Sequence, residues 1–128
     1  MKKTPLNKVS KAPYSTLLRE AKKVFNAWIR ARDAKKLGGK CYTCPNPGDQ
    51  AGHFRHNNNA TRFSEIFVNL QCLNCNQYKS GNLGVYALNL IKEHGLKKVT
   101  ELERDSYRTK RFSRSELQEI VAKYSQST

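Results

Sequence analysis

The chain contains four cysteines, arranged as two C-x₂-C pairs, Cys41/Cys44 and Cys72/Cys75. That spacing lets two thiolates reach one ion from a single tight turn. Two such turns supply the four soft donors of a closed tetrahedral Zn²⁺ site. Once the ion is held, the intervening residues 45–71 must fold as a loop or hairpin closed at its base. The clamp also answers a shortage. Hydrophobic residues make up 38% of 128 positions and mean hydropathy is −0.77, so the core must be small.

No apolar run approaches the roughly 20 residues that span a bilayer. The basic start, Met1-Lys2-Lys3, is not followed by a signal-peptide core. A cytoplasmic protein is expected, where thiols stay reduced and paired cysteines serve as metal ligands; disulfides are the alternative. The net charge is +14, unevenly spread. Residues 1–40 carry 12 basic and 2 acidic side chains, 41–76 carry two of each, and 77–128 carry 10 and 6. A near-neutral metal core between basic arms suits a polyanion, DNA above all, and needs no membrane.

The pattern divides the chain into a basic arm (1–14), a long basic amphipathic helix (15–39), a zinc-bound core (40–95) and a helical extension (96–128). Leu17, Leu18, Ala21, Val24, Phe25, Trp28 and Ile29 recur at helical spacing, and Gly38-Gly39 stops the run. Strands are expected over 49–55 and 63–70, joined by a polar loop around Asn57-Asn58-Asn59. Further helices are expected over 83–94, over a turn or two within 99–104, and after Ser113-Arg114-Ser115-Glu116, a capping-box pattern. Residues 107–112 read as a basic connector.

Hydrolysing a phosphodiester needs a base for water, a cation for the leaving oxygen and groups that hold the phosphate in line. His53 suits the base because imidazole titrates near neutral pH. Asn76 follows the last cysteine, so a zinc bond next to it would aim a hard amide oxygen suited to Mg²⁺ or Mn²⁺. A Cys₄ zinc has no open position and is structural. A packed turn histidine is the plainer reading of His53. His56 reads as a solvated loop residue, and His94 is explained by a helix C-terminus.

Taken together, Trp28-Ile29-Arg30, Arg32-Asp33, Cys41/Cys44, Ala51-Gly52-His53-Phe54, Arg62-Phe63, Gln71-Cys72-Leu73-Asn74-Cys75-Asn76, Ser80-Gly81-Asn82, Tyr86 and His94-Gly95-Leu96 resemble the phage lambda NinG/Rap family of recombination endonucleases. The resemblance implies an α+β fold, a small zinc-clamped ββα-metal (HNH-like) core flanked by basic α-helices. It implies cleavage of branched DNA such as Holliday junctions, in the host cytoplasm. By that resemblance His53 is the general base, Asn76 a catalytic-metal ligand, and the four cysteines hold zinc. Many HNH enzymes place Asp before the base. Gly52 stands there, which leaves Asp49, and after it Glu65, as candidates for the second magnesium ligand. Asn69 is the candidate for orienting His53.

The expected activity is that of a metal-dependent, structure-selective endodeoxyribonuclease. Lys22, Lys23, Arg30, Arg32, Lys35, Lys36, Arg55, Arg62 and Lys79 are expected to hold backbone phosphates. Paired cuts call for a homodimer, joined through the apolar stripe of the first or last helix. The rival is a non-catalytic zinc module that binds DNA or RNA.

Overall fold

The computed structural model describes residues 11–55 and 60–125. Most of the expected basic arm, His56 and the Asn57–59 loop lie outside them. Helix α1 runs Tyr14–Lys36, strands β1 and β2 run Gln50–His53 and Val68–Gln71, and a π-helical turn covers Asn74–Tyr78. Helices α2 (Leu83–His94), α3 (Leu96–Ser106) and α4 (Arg114–Tyr124) follow. Among the described residues the fold is thus α+β, with one two-stranded sheet.

The apolar stripe of α1 forms the first core. Leu17, Ala21, Val24, Phe25 and Ile29 are buried against Leu117, Val121 and Tyr124 of α4, Phe112, and Val68 of β2. The helix ends where Gly38 and Gly39 turn left-handed (φ 63° and 77°), and Leu37 N–H closes on Asp33 O at 2.9 Å. Helix α4 starts as its capping box requires: Glu116 N–H donates to Ser113 Oγ, and Ser113 N–H to Glu116 Oε1. The stripes expected to join two copies are therefore packed on each other.

β1 and β2 pair antiparallel with Gln50 opposite Gln71 and His53 opposite Val68. Side chains alternate between the two faces of a strand. Ala51 and Val68 pack toward α1 and α4. Phe67 points the other way, into a second core with Phe54, Tyr86, Leu90 and Val99. The hairpin is thus a wall between two helix layers.

Strand β2 is shorter than its expected span of 63–70. Ser64 Oγ accepts the N–H groups of Ile66 (3.2 Å) and Phe67 (3.1 Å), which holds them in a turn. Phe63 instead meets Phe25 and Phe112 edge to face. Helix α3 is longer than expected, because Gly95 (φ 88°) breaks the axis once and lets a new helix begin at Leu96.

Candidate metal centre

The first cysteine turn is closed by a bridge between Lys40 and Pro47 and by Cys41 N–H on Asn46 O at 2.7 Å. Tyr42 N–H donates to Leu70 O at 2.7 Å, which fastens this turn to the outer edge of β2. The second turn follows directly from β2. All four Sγ atoms of Cys41, Cys44, Cys72 and Cys75 lie within 4.8 Å of one another. Cys44 and Cys72 are 3.6 Å apart. Four sulfurs around tetrahedral zinc at about 2.3 Å stand roughly 3.8 Å apart, whereas a disulfide needs about 2.05 Å. The set fits zinc.

Donors face Cys41, Cys72 and Cys75, whereas burial and the neighbouring thiols push Cys44 up to about 12. Thr43 N–H and Cys75 N–H point at Cys41 Sγ and Cys72 Sγ, each at 3.4 Å. Asn82 Nδ2 lies 3.7 Å from Cys75 Sγ. It can do so because Ser80, Gly81 and Asn82 turn left-handed in succession (φ 51°, 93° and 50°). Burial works to raise the Cys41 thiol, but hydrogen bonds from the Thr43 hydroxyl and nearby backbone bring it down to about 7. The four cysteines could hold a structural zinc.

Asn76 sits in the π-helical turn, beside Cys75. Its Nδ2 donates to Gln50 Oε1 at 2.8 Å, so the metal turn touches β1. The residue it meets is Gln50, not the neighbouring Asp49, which is exposed. A polar side chain two before Gly52 was the available sign of this in the sequence. Glu65 is committed elsewhere: its Oε2 accepts Tyr124 OH at 2.7 Å, and its backbone carbonyl accepts from Arg32.

His53 ends β1, three residues from Gln50, or about 10 Å along a strand. Alternation puts it on the Ala51 face, toward α1, while Gln50 and Gly52 lie on the α2 face. Asn76 thus meets β1 through Gln50, on the face opposite the one to which alternation assigns His53. Asn69, opposite Gly52, has bonds to Arg32, Ile66 O and Tyr86 OH. These fix the hairpin rather than the imidazole. Tyr86 OH in turn donates to Gly52 O at 2.7 Å.

The absence of a side chain at Gly52 has a cause. A Cβ there would lie 1.9 Å from Gln71 Oε1. The Gln71 amide fills that space while its Nε2 donates to Thr43 Oγ1 and Gly81 O. Its Oε1 is buried without a hydrogen-bond partner.

The expected phosphate contacts divide. Lys22, Lys23, Arg30, Lys35 and Lys79 are exposed. Lys36 pairs with Glu93 at 2.5 Å, and Arg55 grips Glu103 with two bonds of 2.7 and 2.9 Å. Arg62 lies within reach of Lys22, whose ammonium is disfavoured by burial and by the Arg62 charge. Arg32 must be removed from the set. Its guanidinium holds both carboxylate oxygens of Asp33 and the carbonyls of Glu65 and Val68, so it ties α1 to β2. Among the described residues no helix is long and apolar enough to cross a membrane.

A family model described as bacteriophage lambda NinG protein matches residues 2–128. Over 126 residues the chain is 36% identical to protein ninG of Salmonella phage P22, covering 97% of this chain and 62% of that protein. It is likewise 36% identical to protein ninG of Escherichia phage lambda, covering 97% of this chain and 61% of that one. The chain therefore spans about three fifths of the length of these relatives. No solved structure matches. With a family match along nearly its whole length and relatives above 30% identity, the chain belongs to the NinG family of bacteriophage proteins.

Proposed function

We propose that this NinG protein is an HNH-type endodeoxyribonuclease that cuts branched DNA, such as a Holliday junction, during phage recombination. One observation carries the reading: the Cys₄ cluster joins an antiparallel hairpin to a helical turn, so that Asn76 meets the strand that ends in His53. In-line displacement sets the base and the cation on the leaving oxygen on opposite sides of phosphorus, on the order of 8 Å apart. Alternation sets His53 and Gln50 on opposite faces of β1, so a phosphate that meets both would have to lie across the edge of that strand.

In this reading His53 takes the proton of the attacking water. Asn76 Oδ1 and Gln50 Oε1 are the hard oxygens that would hold Mg²⁺ or Mn²⁺, with Gln50 taking the place first given to Asp49. The bound cation would supply positive charge beside the departing 3′-oxygen. Arg30, Lys23 and Lys79 would hold the DNA backbone by charge, without reading bases. The ends would carry 5′-phosphate and 3′-hydroxyl groups. Paired cuts would use two copies of the chain, which sedimentation of the protein with a junction would count.

The test is nicking of synthetic four-way, flap and linear DNA across a Mg²⁺ and Mn²⁺ series. Divalent-dependent cleavage of the branched substrates is expected, with His53→Ala at least 100-fold slower, as loss of a general base requires. Undiminished cleavage by His53→Ala would remove the assigned base. A second reading, a zinc module that binds DNA or RNA without cutting it, is favoured by the side-chain partner of Asn76, a neutral amide rather than a carboxylate. Tight binding with no cleavage at any divalent concentration would establish it.

A further inference from the structure

The basic connector after α3 crosses the N-terminal end of α1. Residues 107–114 hold Arg108, Lys110, Arg111 and Arg114 and no acid. Tyr14 OH donates to Phe112 O at 2.5 Å, and Arg114 Nη2 donates to Ala12 O at 2.6 Å. The Arg111 guanidinium lies 3.9 Å over the Tyr14 ring. Ala60 N–H donates to Arg108 O at 3.1 Å, which draws the segment carrying Arg62 to the same place.

Between these segments lies a cavity of about 220 Å³, lined by Tyr14, Leu18, Arg62, Lys110, Arg111 and Phe112. Three cations and two aromatic rings thus converge from three parts of the chain. Lys110 has a carboxylate partner, Glu116, at 2.8 Å. Burial, and after it the Arg62 charge, disfavours the Lys22 ammonium one turn along α1 from Leu18. Pockets for whole small molecules run to about 300 Å³ or more. This one has room for a phosphate and part of a sugar.

We propose that this cavity is a second phosphodiester-binding site, in which Arg62 and Arg111 hold a DNA backbone phosphate and Tyr14 and Phe112 pack on its sugar. The proposal rests on the DNA reading above and extends it to a second contact. Leu18 lies 15 residues from Asp33, whose carboxylate accepts Leu70 N–H beside the metal centre. At about 1.5 Å per helical residue, that is roughly 22 Å. A strand advances about 3.4 Å per nucleotide, so the cavity and the zinc end of α1 are separated by the length of some six or seven nucleotides.

The experiment measures binding of the zinc-loaded protein to a four-way junction and to a linear duplex. It uses fluorescence anisotropy over a salt series, without added divalent ion, so that no cutting intervenes. Arg111→Gln alters an exposed side chain; Arg62→Ala/Arg111→Gln removes both guanidinium groups. The double variant is expected to bind the junction at least tenfold more weakly at low salt. Its log–log salt slope should fall by about two, one per lost phosphate contact. Arg111→Lys should keep most of the affinity. A methylphosphonate at the phosphate held by the cavity should weaken the parent and leave the double variant unchanged. Should the double variant fail to fold, Arg111→Gln alone decides, with a slope change of about one. Affinity and slope equal to the parent would overturn the site. Cleavage by the wild-type protein is scored separately, so loss of this site and loss of the nuclease reading give different results.

Discussion

Arg32 shows what charge counting misses. From the sequence it is one more cation on a basic helix, yet its side chain is 19% exposed and its partner Asp33 is fully buried. Asp33 Oδ2 also accepts Leu70 N–H at 2.9 Å. Removing one member of a buried pair leaves the other uncompensated. Asp33→Ala is therefore expected to cost about 3–5 kcal/mol, read as a lowered denaturation midpoint with unchanged slope. The cysteine cluster was legible because ligand spacing is a local property. The bond from Asn76 to Gln50 was not, because its partners lie 26 residues apart. Gln50→Ala should raise the Mg²⁺ concentration for half-maximal nicking several-fold and leave zinc content unchanged. If Asp49→Ala does so and Gln50→Ala does not, the ligand is Asp49 after all.

Among the elements, α1 and α4 were legible from periodicity, the paired glycines and the capping box. The π-helical turn over Asn74–Tyr78 left no sign in composition. Strand β2 was overextended because Ile66 and Phe67 favour strands by type, whereas Ser64 takes their N–H groups. The join between α1 and α2 offers a pH test. Tyr42 OH donates to Glu93 Oε1 at 2.9 Å, and Lys36 pairs with Oε2. Burial works to raise the Glu93 carboxyl, but Lys36 and Tyr42 outweigh it and hold it below the usual carboxylate range. Its contribution to stability is thus full above the unfolded value of about 4.3 and is lost as pH falls through the lower folded value. Glu93→Gln should destabilise the protein at pH 6 and flatten its loss of stability below about pH 4. An unchanged acid limb would show that the pair is too screened to matter.

At the scale of the whole molecule, the described residues form two small cores on either side of one hairpin, with four thiols at its base. Each thiol must give up its proton to hold zinc, so zinc affinity should fall as pH falls. Chelation at neutral pH should lower the melting temperature and open amide exchange in 41–82 before α1, which keeps its apolar stripe against α4. Equal exchange everywhere would mean that the ion holds no particular part of the fold. The α+β class and the clamp were legible because they follow from ligand spacing and helix period. The placing of Asn76 against Gln50, on the face opposite His53, was not, because it depends on the pairing of Gln50 with Gln71. Asn69 faces the helix layer that takes Phe67, and Val68 faces the other. Slippage of that strand by a single position would push an amide into oil and leave a valine against the Tyr86 hydroxyl, two errors from one step. With metal bound at both ends of the loop such slippage has nowhere to go, so misaligned hairpins belong to the metal-free chain.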